Sequence, residues 1–243
     1  MGQLDGKVAL VTGSSHGIGK AIAIALGKEG AKLVLAARTV KGLEQTATAV
    51  KTAGSEALVV PTDLREEPQI DQLFQRTMER FGRLDILVNN AGVFDSGPID
   101  QISTKTWDGV MAINLRAAFI CTRNAFRIMK AQGGGRIINI GSISASRVRR
   151  FNAPYSSAKF GLVGLTHTTA LEGREFNINC GILHPGNVQR DNQPADSAAW
   201  GEEPKMSPEE IAAAAAYMAC QPPNVNVLEL IQLPREQLYL GRG

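Results

Sequence analysis

Little in this 243-residue chain would staple, embed or strongly charge it. Its three cysteines, Cys121, Cys180 and Cys220, sit in dissimilar apolar contexts without metal-ligand spacing. Neither a disulfide framework nor a metal centre is expected, and inert thiols in a reducing compartment are. Charge of one sign is also scarce: 26 Lys+Arg against 23 Asp+Glu leave +3, scattered along the chain. No footprint for nucleic acid or an anionic membrane results, so neither is an expected partner. No stretch approaches the ~18 apolar residues of a membrane span, and Met1 to Lys7 lack a basic start followed by an apolar run. The expectation is a cytoplasmic protein. What is present is 44% apolar and 20% charged residues, enough for a substantial core.

Short apolar, β-branched runs alternate with helix-length segments throughout. Strands are expected at Lys7 to Thr12, Lys32 to Ala37, Ala57 to Pro61, Leu84 to Val88, Gly135 to Ile140, Ile178 to His184 and Leu228 to Gln232. Several are continuously apolar, as strands covered on both faces are. Helices are expected at Gly17 to Glu29, Val40 to Ala53, Glu66 to Phe81, Ser103 to Ala131, Pro154 to Arg174 and Ser207 to Cys220. Ser207-Pro208-Glu209-Glu210 supplies a capping serine, a proline in the first turn and early acids. Repeated βαβ units with right-handed crossovers predict an α/β fold of Rossmann-like type: a doubly wound parallel sheet of about seven strands, with helices on both faces in three αβα layers. No linker divides the chain, so residues 1–243 read as one domain. The polar, aperiodic stretch from Gly186 to Met206 is expected to be a substrate loop or a surface loop.

The first expected strand runs into Thr12-Gly13-Ser14-Ser15-His16-Gly17-Ile18-Gly19, where a helix begins. Gly13, Gly17 and Gly19 permit a tight turn and close backbone approach, and N–H groups at a helix start attract an anion such as pyrophosphate. The spacing is G-x-x-x-G-x-G, and its strand-turn-helix setting is what gives it meaning. A NAD site of this kind has an acid near the end of the second strand for the ribose 2′-OH, whereas Leu35-Ala36-Ala37-Arg38-Thr39 offers a guanidinium. Arg38 suits the 2′-phosphate of NADP. A charge-assisted contact of ~1.5–3 kcal/mol would give roughly 10- to 150-fold preference for NADP(H). His16 either assists or stays solvated.

Tyr155 and Lys159 are four residues apart at a helix start, hence on one face. A phenol has a pKa of ~10, and nearby positive charge favours phenolate; lowering it by ~3 units takes about 4 kcal/mol. Lys159 and an oxidised nicotinamide can supply that together. Ser142 ends the fifth expected strand, where ligands of open parallel sheets bind, and its hydroxyl suits a substrate carbonyl. Asn114 is a polar group within an otherwise apolar helical run.

Together these features resemble the short-chain dehydrogenase/reductase family. The resemblance runs from about Lys7 to Val188 and includes Thr12 to Gly19, Asp63-Leu64, Asn89-Asn90-Ala91-Gly92, Asn114, Ser142, Tyr155, Lys159 and Pro185-Gly186. It implies a nicotinamide-dependent oxidoreductase in which Tyr155 is the general acid or base, Ser142 holds the substrate oxygen, and Asn114 helps hold a water-linked proton relay. Lys159 is implied to depress the tyrosine pKa and bind the nicotinamide ribose. Gly13, Ser15, His16, Gly17, Ile18 and Gly19 would face the pyrophosphate side; Asp63 and Leu64 the adenine; Asn90 and Gly92 the cleft wall; Pro185, Gly186 and Val188 the nicotinamide. For Asn89 and Asn90, local turn-making is the competing role. The implied substrate is a small carbonyl/alcohol pair, and relatives commonly form tetramers through the helices bearing Asn114 and Tyr155 and through the last strand. A homo-oligomer is therefore expected by analogy.

Two departures from the family pattern bear on function. Arg190 stands where many relatives have a threonine that bonds the nicotinamide carboxamide, and Leu228 to Gly243 lack the aspartate-glycine-glycine ending common in fatty-acid-synthesis members. A 3-oxoacyl carrier-protein reductase remains an alternative. So do a nucleotide-sugar epimerase or dehydratase and a catalytically silent NADP-binding sensor. Arg147, Arg149 and Arg150 near the expected mouth form either a solvated basic loop or a site for an anionic substrate or carrier. Trp200 either closes over an apolar group or packs on the sheet edge.

Overall fold

A computed structural model describes residues 2–189 and 204–239. Seven strands form one parallel sheet: β1 Val8–Thr12, β2 Lys32–Ala37, β3 Ala57–Pro61, β4 Ile86–Asn89, β5 Gly135–Ile140, β6 Ile178–Pro185 and β7 Glu229–Gln232. Their order is β3-β2-β1-β4-β5-β6-β7. The helices between them are α1 Gly17–Lys28, α2 Val40–Thr52, α3 Glu67–Phe81, α4 Thr104–Met111, α5 Ala117–Gln132, α6 Ala153–Gly173 and α7 Pro208–Ala219.

The period of two along each strand builds the layers. In β1, Ala9 and Val11 point into a core shared with Ile22 and Leu26 of α1, Leu43 and Val50 of α2, and Ile211 of α7. Val8 and Leu10 point the other way, onto Ile70 and Leu73 of α3 and Ile120 and Met129 of α5. A third cluster, Ala118, Leu162 and Ile182, seats α6 on the α5 side. Both faces of the central strands β1, β2 and β4 are therefore dry, which is why they read as continuous apolar runs. At the start of α7, Ser207 Oγ accepts from the Glu210 N–H while Glu210 Oε2 accepts from the Ser207 N–H, a reciprocal cap.

One expected helix is interrupted. The stretch read as a continuous Ser103 to Ala131 widens into a π-helical turn over Ala112–Arg116 between α4 and α5. No glycine or proline marks the change, and such turns recur at functional sites. The fourth strand also runs on to Asn89, which registers with Asn139 of β5. Chain order reverses between β1 and β4, and the carboxyl ends of these two strands open a crevice. Of the expected loop from Gly186 to Met206 only the two flanks are described, and they are joined by a parallel bridge from Val188 to Met206. Arg190 and Trp200 lie outside the described residues. Among the described residues no helix is long and apolar enough to cross a membrane, and no group of three or more His, Cys, Asp or Glu side chains could hold a metal ion. Cys121 and Cys180 are buried, and burial pushes both thiols up to about 12; Cys220 is half-buried.

Candidate active site

A cleft of about 940 Å³ opens at the carboxyl ends of the strands. One of its walls is the turn between β1 and α1. Gly13 and Gly17 have φ of 65° and 54°, a left-handed backbone that favours glycine. A Cβ on Gly19 would stand 2.3 Å from both the Asn90 side-chain nitrogen and the Gly13 carbonyl oxygen, so the helix can enter this closely only as glycine. Thr12 and Asn90 lock the turn from beneath. Thr12 Oγ1 accepts from the N–H groups of Asn90 (3.0 Å) and Ala91 (3.1 Å), and Asn90 Nδ2 donates to the carbonyls of Thr12 (2.9 Å) and Gly13 (3.2 Å). The turn-making role weighed for Asn90 is thus what its amide does here, while the residue still lines the cleft. Asn89 is wholly internal, donating to Asn139 Oδ1 and Thr122 Oγ1. Ser15, His16 and Ile18 line the same wall. His16 precedes α1 without capping it through its side chain, and no acid sits in the first turn, so the helix dipole presents positive potential to an anion.

At one end, Arg38 follows β2 and is exposed, while Asp63 and Leu64 follow β3. All three line the cleft together with Arg65, which sequence reading passed over. Arg65 forks onto Asp63, Nε to Oδ1 at 3.0 Å and Nη2 to Oδ2 at 2.5 Å. These bonds hold the Asp63 carboxyl below its usual range, with the more distant Arg38 acting in the same direction. The Asp-x-Arg spacing was the available signal. Two guanidinium groups therefore border this end of the cleft.

The other end gathers the polar quartet. Lys159, on α6, is buried, and its Nζ donates to the Ile140 carbonyl at 2.7 Å. Burial lowers its ammonium to about 8. Its Nζ lies 5.5 Å from the centroid of the Tyr155 ring one turn earlier. Phe94 packs edge-on against that ring at 5.3 Å, an apolar wall that the sequence did not flag. Ser142, two residues beyond the end of β5, has its Oγ accepting from the Ser144 N–H at 3.1 Å. Beneath it, the buried imidazole of His184 contacts the Ser142 backbone, with Nδ1 2.9 Å from the carbonyl oxygen. Asn114 sits in the π-helical turn, its Nδ2 donating to the carbonyls of Val93 (2.8 Å) and Val110 (3.0 Å). It thereby pins the chain beyond Gly92, where a Cβ would stand 2.8 Å from the Asn114 side-chain oxygen. Pro185, Gly186 and Val188 close this end. Every residue singled out as catalytic or cofactor-facing thus lines one cleft. Arg147, Arg149 and Arg150 do not line it: Arg147 lies over Tyr239, Arg149 bonds Asn187 Oδ1 at 3.3 Å, and Arg150 lies over Phe151.

The cradle at Gly17, where an added Cβ would meet nothing within 4 Å, and the uncapped helix start suit a dinucleotide's phosphates, with a phenol, an ammonium and a hydroxyl grouped at the opposite end. Comparison with known proteins agrees. Residues 7–199 match the model of the short chain dehydrogenase family. An uncharacterized oxidoreductase of Staphylococcus haemolyticus is 34% identical over 235 residues, covering 96% of this chain and all of that one. A 3-oxoacyl-[acyl-carrier-protein] reductase of Synechocystis is 34% identical over 91% of this chain and 92% of its own. A metagenomic short-chain oxidoreductase, crystallised in complex with NADP, superposes with a TM-score of 0.85 at 33% identity over 96% of this chain and 98% of that one. With the fold, the glycine turn and the Tyr/Lys/Ser grouping all pointing the same way, the chain belongs to the short-chain dehydrogenase family of oxidoreductases, which use nicotinamide cofactors.

Proposed function

We propose that the protein is an NADP(H)-dependent oxidoreductase interconverting a carbonyl and an alcohol on a small organic substrate. The observation that carries the cofactor choice is the end of β2, where Arg38 borders the cleft and no carboxylate follows the strand. Asp63, the nearby acid, is already held by Arg65. Gly13, Ser15, His16, Gly17, Ile18 and Gly19 would hold the pyrophosphate, Asp63 and Leu64 the adenine, Asn90 and Gly92 the middle of the cleft, and Pro185, Gly186 and Val188 the nicotinamide. The chain is taken as one dinucleotide-binding domain with its substrate loop in residues 186–206.

When bound, the reduced cofactor supplies hydride to the carbonyl carbon. Tyr155 gives its phenolic proton to the carbonyl oxygen, and Ser142 donates a hydrogen bond to the same oxygen, stabilising the charge that develops there. Lys159 holds positive charge beside Tyr155 and so makes proton release easier, while its bond to Ile140 keeps the ammonium in place. Asn114 fixes the Val93 backbone and with it the Phe94 wall, and its neighbourhood would carry the proton relay to solvent. The oxidative direction reverses each proton step.

The Synechocystis relative keeps a narrower reading open, reduction of a 3-oxoacyl thioester on a carrier protein. Exposed Trp107 on α4, Phe119 on α5, Phe160 and Leu171 on α6, and Ile231 on the edge strand β7 support assembly into a homo-oligomer through those surfaces. Following NADPH absorbance with a panel of ketones, quinones, sugars and 3-oxoacyl thioesters tests the assignment. Consumption with a simple ketone supports it; tight NADPH binding with no turnover of any substrate would instead favour the sensor.

A further inference from the structure

The chain beyond β7 does not leave the sheet but turns back over the nicotinamide end of the cleft. Gly186 N–H donates to the Gln232 carbonyl at 2.8 Å, and Gln189 N–H to the Met206 carbonyl at 2.8 Å. Between them Asn187 N–H is taken up by a side chain, Gln237 Oε1, at 2.9 Å. Gln237 is only 7% exposed. The tail packs directly on Gly186, where an added Cβ would stand 2.1 Å from Gln237 Oε1 and 3.0 Å from Leu233. Two residues later, Tyr239 Oη lies 2.7 Å from Ser146 Oγ, and the Arg147 guanidinium sits 5.8 Å from the Tyr239 ring centroid. Ser146 follows directly on the turn that begins at Ser142. The same short tail therefore touches both loops that bracket the reacting end of the cleft.

We propose that Pro234–Tyr239 is a brace and that Gln237 is a positioning residue, whose carboxamide oxygen holds the Gly186–Val188 backbone in the conformation that receives the nicotinamide. It touches neither cofactor nor substrate and acts through Asn187. The inference rests on the cofactor assignment made above. The Asn187 N–H is part-buried, so losing its side-chain acceptor removes a hydrogen bond that water replaces only in part. The loop would then have to become ordered when cofactor binds, so the loss falls on the nicotinamide half of the ligand and not on the adenosine half.

Fluorescence titration of wild type, Q237L and Q237E with NADPH, and with 2′,5′-ADP as a ligand lacking nicotinamide, tests this. Leucine keeps the bulk without the acceptor, and glutamate restores the acceptor. Q237L should bind NADPH roughly tenfold more weakly while holding 2′,5′-ADP as wild type does, and Q237E should recover most of the difference. Gly186→Ala, which drives the Gln237 carboxamide off its place, should reproduce the Q237L pattern. Unchanged NADPH affinity in Q237L, or an equal loss for both ligands, overturns the brace while leaving the cofactor assignment standing. Failure of wild type to bind NADPH at all would sink both.

Discussion

Lys159 should cost the empty fold stability in order to serve the reaction. Its ammonium is buried and lowered from 10.5 to about 8 by loss of hydration. That difference corresponds to about 3 kcal/mol of destabilisation while the group is charged in both folded and unfolded chains. Replacing it by methionine, similar in bulk and uncharged, removes this cost but leaves the Ile140 carbonyl without its 2.7 Å partner. An unpaired acceptor costs about 1–2 kcal/mol, so Lys159→Met should stabilise the cofactor-free protein by a net of about 1–2 kcal/mol, a rise in Tm of about 2–8 °C. The same change should cut turnover by about 100-fold or more, because the cation beside Tyr155 is gone. The pH dependence carries the sign. Below pH 8 the folded and unfolded lysines are both charged and the variant keeps its full advantage. Between 8 and 10.5 the folded lysine sheds its proton first, wild type is relieved, and the gap closes. Subtracting the two proteins' melting curves across that range isolates Lys159 from the cysteines, which titrate in both. A variant less stable than wild type at pH 7, or a gap that does not narrow as pH rises, would show that the buried Lys159 charge does not burden the fold.

Arg38→Asp should lose most NADP(H) affinity, by roughly 10- to 150-fold, and gain relative affinity for NAD(H); a fluorescence titration with both coenzymes checks it, and unchanged NADPH binding would remove Arg38 from the site. Gly19→Ala places a Cβ against the Gly13 carbonyl and the Asn90 amide, so stability and NADPH affinity should fall together, stability by about 1–3 kcal/mol as read from thermal melts. Alkylation at pH 8 in the native state should modify the half-buried Cys220 well before Cys121 and Cys180, whose thiols burial holds up to about 12; mass spectrometry of early time points reads the order, and early labelling of Cys121 would contradict its packing.

The alternation of strands and helices was legible because the central strands are buried on both faces, which turns β1, β2 and β4 into largely apolar runs bounded by polar turns. The glycine turn and the Tyr155/Lys159 pair were legible because each is local: a few adjacent residues carry both the geometry and the chemistry. What was not legible depends on partners distant in the chain. The π-helical turn at Ala112–Arg116 carries no breaker residue, and it is Asn114's bonds to Val93 that give the distortion a purpose. Asn90 could not be divided between turn-maker and ligand until its amide was seen on Thr12 and Gly13. Arg147, Arg149 and Arg150 read as a possible anion site by charge alone, yet Tyr239, Asn187 and Phe151 take them up, two of these lying 38 or more residues away. Gln237 had no signal at all, since nothing in a tail's composition announces which backbone N–H it will meet.

The proposed reaction turns on proton exchange between Tyr155 and substrate beside a bound nicotinamide cofactor. Single-turnover oxidation of NADPH in the presence of a ketone that wild type reduces, compared between wild type and Tyr155→Phe, tests it most directly when paired with an NADPH titration of each. The phenylalanine variant should keep near-wild-type NADPH affinity, with the oxidation step slowed by about 100-fold or more. A phenylalanine variant that oxidises NADPH at the wild-type rate would contradict it.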